Sequence, residues 1–238
     1  MHTMGETLAH GIANHTLRSG TESARSAALI ARTANRPGAM KRAAIYRATR
    51  KYLLDTHRDQ VLEMAESGKQ DGKDKRTAMQ LWTWEYAQLD DDASQRVVKF
   101  CFFMLEAKDP LIQEATFAVM GRHAIARLLQ MERTDDLAKA MAQAGPRNWA
   151  ALCLAILNRN VRDTTTTLAF CLNNGVAVCA WDEQERHFVV KTVIGYSAMS
   201  PSKAEGVLTL FAASPYIPWP PRSPAPIPGT SPVAPRRS

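Results

Sequence analysis

The chain has 238 residues, of which 45% are hydrophobic and 22% are charged, a composition typical of a folded globular protein with a substantial core. Its formal net charge is +7, and the whole excess lies in residues 1–58, which contain ten Lys and Arg residues but only three acidic residues. A segment this basic disfavours basic partners and favours polyanions: nucleic acid, an anionic membrane surface or an acidic protein.

The four cysteines follow no metal-binding or disulfide pattern. Cys101, Cys153, Cys171 and Cys179 include no C-x-x-C pair and have no histidine at zinc-finger spacing. We therefore expect buried, reduced thiols, no metal and no cofactor. Residues 1–20 lack the apolar core of a secretory signal, and no segment has the composition of a transmembrane helix. The expected compartment is the cytoplasm, with the nucleus as the alternative.

Helices are predicted for most of the first 160 residues. Ser19 and Glu22 have capping-box spacing and open a predicted helix that ends near residue 35. Further helices are predicted at 38–66, 77–89, 92–107, 110–129, 134–145 and 148–158. The helix after Asp92 has apolar residues around its whole circumference, which indicates a central, buried position.

The pattern changes after residue 160. Runs at 164–172, 176–181 and 186–194 are rich in β-forming residues, and Asn174-Gly175 is a hairpin signal, so an antiparallel meander is predicted. With those two residues as the loop, Cys171 lies opposite Val178 while Cys179 points to the other face of the sheet. Ser200-Pro201 opens a last short helix.

The predicted fold is mainly α. A multi-helix body carries a small C-terminal antiparallel β-meander, at about 164–194, and an α+β arrangement is the alternative. Nine of the 13 prolines fall between residues 215 and 235, which predicts a disordered tail. The predicted units are a basic helical region at 1–66, a core with the meander at 77–213, and the tail at 214–238.

The basic region is the strongest candidate binding site. Arg18, Arg25 and Arg32 recur every seven residues, so they stay on one side of a helix. In the next predicted helix the cations again share one side, and those in its first turn oppose the helix dipole, which an anionic ligand would offset. The predicted nucleic-acid-binding residues are Arg18, Arg25, Arg32, Lys41, Arg42, Arg47, Arg50, Lys51 and Arg58. No catalytic residue is predicted.

An aromatic cluster lies beside the charged stretch at 68–76. Trp82, Trp84 and Tyr86 could stack on unpaired bases if they were exposed. As helix residues, however, Trp82 and Tyr86 share a face while Trp84 points nearly opposite, and core packing of at least two of them is favoured.

One histidine has acidic neighbours. His187 follows Asp182, Glu183 and Glu185, a combination that general acid–base chemistry would need. A charged turn followed by a partly buried strand explains the same residues without catalysis.

The leading functional expectation is a non-enzymatic protein that binds nucleic acid through its backbone phosphates. Self-association would suit an assembly or packaging protein of the nucleocapsid or matrix type. The first alternative is a module that docks on protein or on a membrane surface and recruits a further partner through its Pro-rich tail. The second is a small metal-free nuclease centred on His187.

Overall fold

The computed structural model of the chain describes residues 4–19, 51, 54–55, 58–68, 77–88, 96–106, 113–145, 167–214 and 216–220. Eight strands within these ranges form one sheet: β1 Val61–Gly68, β2 Thr77–Gln88, β3 Arg96–Glu106, β4 Gln113–Met120, β5 Leu168–Cys171, β6 Gly175–Asp182, β7 His187–Gly195 and β8 Tyr216–Pro218. Four α-helices are described: α1 Glu6–Ser19, α2 Arg122–Glu132, α3 Leu137–Ala144 and α4 Pro201–Ala213. Two 3-10 turns, Arg58–Gln60 and Tyr196–Ala198, precede β1 and α4.

The sheet is mixed and curls into a half-barrel. Its strand order is β1-β2-β3-β4-β7-β6-β5-β8. Each neighbouring pair is antiparallel except β4 and β7, which run parallel through Ala118 to Met120 against Phe188 to Val190. Two antiparallel meanders are therefore joined by one parallel junction. The edge strand β8 lies within residues 214–238, the segment that was predicted to be a disordered tail because of its proline content.

The core lies between one face of the sheet and helices α1, α2 and α3. Its largest fully buried side chains include Phe100, Phe117 and Phe188 from the strands and Ile125 and Leu128 from α2. The helices close over one face because each presents an apolar side to the sheet.

A smaller apolar cluster covers the opposite face of the second meander. There α4 inserts Val207 against Val176, Val178 and Ile217. The sheet is thus covered by helices on both faces at its β5 end.

The prediction of a mainly α fold is wrong, because four strands stand where helices were expected. β3 is buried on both faces, with Val97 and Cys101 on one side and Val98 and Phe100 on the other. A strand of this kind shows no alternation of polar and apolar residues, so it resembles a helix that is apolar all round.

The other helix predictions in the first meander also change. The helix expected at 38–66 does not reach Glu66, since β1 begins at Val61. The helix expected at 110–129 is divided at Gly121, with β4 before it and α2 after it. α1 was not predicted, and the helix expected from Ser19 lies outside the described residues from 20 onward, as does the one at 148–158.

The C-terminal meander is confirmed, with a corrected register. Cys171 pairs with Val176 and not Val178, because Asn173-Asn174 forms the loop and the Leu172 amide donates to the carbonyl of Gly175 at 2.8 Å. Cys171 and Cys179 nevertheless lie on opposite faces, and both thiols are free. The helices expected at 134–145 and after Ser200 are confirmed as α3 and α4.

Candidate nucleic-acid interface

One side of α1 is polar and the other is apolar. Ala9, Ala13 and Leu17 are spaced four residues apart and are buried against the core. A second row with the same spacing, Glu6, His10, Asn14 and Arg18, runs along the helix where it meets α2. The two rows explain why this segment forms a helix that packs on the core with one row and on α2 with the other.

The helices α1 and α2 pack antiparallel through their polar rows. At one end Arg127 Nη2 lies 2.9 Å from Glu6 Oε1. At the other end Arg122 Nη1 donates to Asn14 Oδ1 at 3.4 Å. One arginine of α2 is therefore held against the first residue of the α1 row and another against its third residue.

Two histidines meet between these end contacts. The rings of His10 and His123 have centroids 5.6 Å apart and are tilted by 32°. His10 Nε2 also lies 3.9 Å from the carboxylate of Glu6, one turn earlier in α1. The two imidazoles therefore contribute to the contact between α1 and α2.

Arg96, the first residue of β3, extends the cationic surface to the C-terminus of α1. Its Nη1 donates to the carbonyls of Leu17 at 3.2 Å and of Arg18 at 2.7 Å. A guanidinium at a helix C-terminus satisfies carbonyls that have no partner within the helix and complements the helix dipole. The contact brings Arg96 beside Arg18, which is exposed.

The N-terminus of α2 is the positive end of a helix dipole, whereas the C-terminus of α1 is a negative end. Gly121 at the N-cap offers no side-chain cap, and the first turn contains Arg122 and His123 but no acidic residue. Cations there oppose the dipole, while the first N–H groups of a helix, which have no acceptor within it, and the cations together favour an anion. There is space beside Gly121, since a Cβ at this residue would meet no atom within 4 Å.

We call this surface the α1–α2 basic face, and it is strongly biased in charge. Among the described residues of this face Glu6 is the only acidic one, since the one other acid of the two helices, Glu132, is buried elsewhere. The face consists of Glu6, His10, Asn14, Arg18, Arg96, Arg122, His123 and Arg127.

The nine predicted nucleic-acid-binding residues are only partly described. Arg18 lies on the α1–α2 basic face, and Lys51 and Arg58 are exposed. Arg58 belongs to a 3-10 turn packed near α3 and β2, so it does not continue a helical row of cations. The remaining six lie outside the described residues: Arg25, Arg32, Lys41, Arg42, Arg47 and Arg50.

The sequence prediction missed the residues that surround Arg18. Arg96, Arg122, His123 and Arg127 lie far from it along the chain, and they meet it only because α2 and β3 pack against α1. One local signal was available, namely the four-residue spacing of polar residues from Glu6 to Arg18.

The aromatic cluster is not a stacking surface. Trp82 and Trp84 are buried, as the core prediction required, although they lie on a strand and share one face with Tyr86. Their rings pack on neighbours in the core, with Trp82 against Phe102 at 5.2 Å and Trp84 against Tyr86 at 5.5 Å.

His187 is buried at the start of β7. Burial lowers the pKa of its imidazole, while Asp182 and Glu185 oppose that shift and Lys99 adds to it. Asp182 Oδ1 accepts hydrogen bonds from the amides of Gln184 at 3.0 Å and Glu185 at 3.1 Å, so this carboxylate organises the turn between β6 and β7.

Comparison with known proteins identifies no relative: no family model, no curated protein and no solved structure matches the chain. Within the described ranges, no three His, Cys, Asp or Glu side chains are grouped to hold a metal ion. No helix in that part of the chain is long and apolar enough to cross a membrane. Function must therefore be inferred from the site itself.

Proposed function

We propose that the protein binds nucleic acid through the phosphate backbone and that the α1–α2 basic face takes part in the contact. The observation that carries the proposal is the open N-terminus of α2, where Arg122 is held beside the α1 row that ends in Arg18. A phosphate at this position would accept hydrogen bonds from backbone amides and from a guanidinium together.

The contacts already made by the arginines leave them able to bind phosphate. Arg96 uses Nη1 for both carbonyls of α1, and Arg122 uses Nη1 for Asn14. A guanidinium has further N–H donors in a planar fork, so each side chain can hold its protein partner and a phosphate oxygen at once.

Backbone recognition fits better than base recognition. The described tryptophans nearest the basic stretch, Trp82 and Trp84, are buried in the core, so these two rings cannot stack on unpaired bases. The excess of cations in residues 1–58 adds sequence-independent attraction.

The test is fluorescence anisotropy with labelled single-stranded RNA, single-stranded DNA and duplex DNA over a series of salt concentrations. We expect the logarithm of the affinity to fall linearly with the logarithm of salt concentration. The double variant Arg18→Glu/Arg122→Glu should bind about tenfold or more weakly, with a slope that is less steep by about 0.9 for each phosphate that the protein no longer neutralises.

The matched control is Lys139→Glu/Lys191→Glu, which changes the net charge equally at exposed positions on α3 and β7. If both double variants lose the same affinity, the whole charge of the protein attracts nucleic acid and the α1–α2 basic face is not the site. Undetectable binding of the unmodified protein to all three probes at low salt would refute the proposed function.

A third variant separates binding from folding. Gly121 has the extended backbone of an N-cap residue, so Gly121→Asp should cap α2 and stabilise the fold by roughly 0.3 kcal/mol. The same carboxylate would occupy the anion position and should weaken nucleic-acid binding. A variant that is more stable and binds equally well would exclude the α2 N-terminus from the interface.

A further inference from the structure

A second site lies apart from the α1–α2 basic face, between α3, β1, β2 and the 3-10 turn before β1. It is a cavity of about 430 Å³, within the range of pockets that hold small molecules. The buried side chains of Leu62, Trp84 and Met141 line it, and α3 contributes Ala138 and Ala142.

The chemistry of the cavity is asymmetric. Apart from Arg58, which is exposed, the residues that line it are apolar and carry no charge or side-chain carboxylate. Arg58 therefore supplies a cation at one side of an apolar cavity, and an anionic group there would meet no competing carboxylate among the lining residues.

We propose that this cavity binds a free monocarboxylate with an unbranched alkyl chain, with the carboxylate on Arg58 and the chain against Leu62, Trp84 and Met141. Charge complementarity selects the head group, because an alcohol of equal length would gain no ion pair and an alkylammonium ion would be repelled. The apolar lining selects the chain, since each buried methylene contributes about fourfold in affinity.

The limited volume gives the proposal a distinctive signature. Affinity should rise with chain length while methylenes enter the cavity and should level off once it is full. Adsorption on a general apolar surface would continue to strengthen with every added methylene.

Isothermal titration calorimetry of the full chain with octanoate, decanoate, dodecanoate and tetradecanoate, each below its critical micelle concentration, tests this inference. We expect one saturable site and an increase of about fourfold per methylene for as long as the added methylenes enter the cavity. Dodecanol and dodecylammonium provide the neutral and cationic comparisons, and both should bind more weakly than dodecanoate.

Two variants assign the contacts. Arg58→Gln should abolish the preference for dodecanoate over dodecanol while leaving dodecanol binding unchanged, and the control Lys139→Gln should behave like the unmodified protein. Ala142→Trp places bulk at an exposed part of the lining, where folding is least affected, and should weaken all chain lengths, the longest most.

The inference is overturned if no carboxylate binds saturably, or if Arg58→Gln binds dodecanoate as tightly as the unmodified protein does. It is also overturned if Ala142→Trp binds every chain length as tightly as the unmodified protein does. None of these variants alters the α1–α2 basic face, so this outcome is independent of nucleic-acid binding.

Discussion

Asn174 donates a hydrogen bond through Nδ2 to Oε2 of Glu132 at 2.8 Å, joining the β5–β6 loop to the last residue of α2. The other carboxylate oxygen of Glu132 is buried and has no hydrogen-bond partner within the described structure. Burial raises the pKa of this carboxyl, and the hydrogen bond from Asn174 offsets the shift only in part. The β5–β6 loop is therefore bound to a buried carboxylate, and the negative charge of that carboxylate destabilises the folded state.

Glu132→Gln should stabilise the fold at neutral pH. The amide keeps an acceptor for Asn174 and removes the buried charge, for which we expect a gain of about 1 kcal/mol in the free energy of unfolding. Because the folded-state pKa is raised, the charge destabilises the fold above that pKa, and the penalty disappears as the pH falls toward the unfolded value of 4.5.

Urea denaturation of both proteins between pH 4 and pH 8 measures this difference. The gain should be largest at the alkaline end and vanish at the acid end. If the difference in the free energy of unfolding is constant across the series, the charge of Glu132 does not destabilise the fold. The control for the hydrogen bond is Asn174→Ala, which should reduce stability.

Gly175→Ala should destabilise the fold by about 1–3 kcal/mol, the usual cost of overpacking. A Cβ at this position would collide with the carbonyl oxygen of Ile194 and lie 2.6 Å from Sδ of Met131. Met131→Ala should not rescue the variant, since the backbone carbonyl remains.

The matched control is Gly206→Ala, in the interior of α4. A Cβ there meets no atom within 4 Å, so the helix propensity of alanine should raise stability by about 0.5–1 kcal/mol. Thermal unfolding followed by circular dichroism measures both variants. Equal shifts for the two would mean that Gly175 is not confined by its neighbours.

Stability should fall as the medium is acidified below the unfolded pKa of His187, 6.5. Burial lowers the folded-state pKa of this imidazole, so between 6.5 and that lowered value the folded protein binds fewer protons than the unfolded chain and loses stability as the pH falls, and the loss is complete below the lowered value. His187→Gln should flatten this part of the pH profile.

The neighbours of His187 allow a sharper test by NMR titration of the imidazole. Asp182→Asn keeps the acceptor that the turn amides need but removes a negative charge, so the pKa of His187 should fall further. Lys99→Gln removes a positive charge and should raise the same pKa. Shifts in the same direction for both variants would contradict this electrostatic account.

The described cysteines should differ in reactivity. Cys101 and Cys179 are fully buried, and burial strongly raises the pKa of the Cys179 thiol, whereas Cys171 is only half-buried. In a Cys153→Ser background, a disulfide reagent such as dithiobisnitrobenzoate should react with Cys171 first. Mass spectrometry of the labelled peptides identifies the site, and labelling of Cys179 before unfolding would contradict the burial.

Local signals predicted the elements that depend on local chemistry. Pro201 correctly predicted the start of α4. The end of α3 was predicted from Gly145, whose positive φ of 99° favours glycine, and Asp136 caps its start through a hydrogen bond from the Lys139 amide. Such signals act within a few residues, so sequence alone reveals them.

The first meander depends on neighbours that lie far away in the chain. β3 is buried on both faces, and in β2 Thr83 and Glu85 are buried opposite Trp82 and Trp84, so neither strand has the alternation that identifies a half-exposed sheet. The concentration of β-branched and aromatic residues in 97–103 was the available clue.

The candidate site was predictable in character but not in composition. The charge excess predicts a polyanion partner, and one of the predicted binding residues, Arg18, lies on the α1–α2 basic face. Arg96 and Arg122 join it through tertiary packing, which no spacing rule relates to residue 18. The cavity beside Arg58 escaped prediction for the same reason.

The parallel junction between β4 and β7 has a consequence for how the chain acquires its structure. Ala118 and Phe188 pair across about 70 intervening positions, so β4 gains its final neighbour only after the second meander has been synthesised. At ordinary translation rates of roughly 5–20 residues per second, that delay lasts several seconds. During this interval β4 pairs only with β3, and its other side is an exposed strand edge that can pair with another chain.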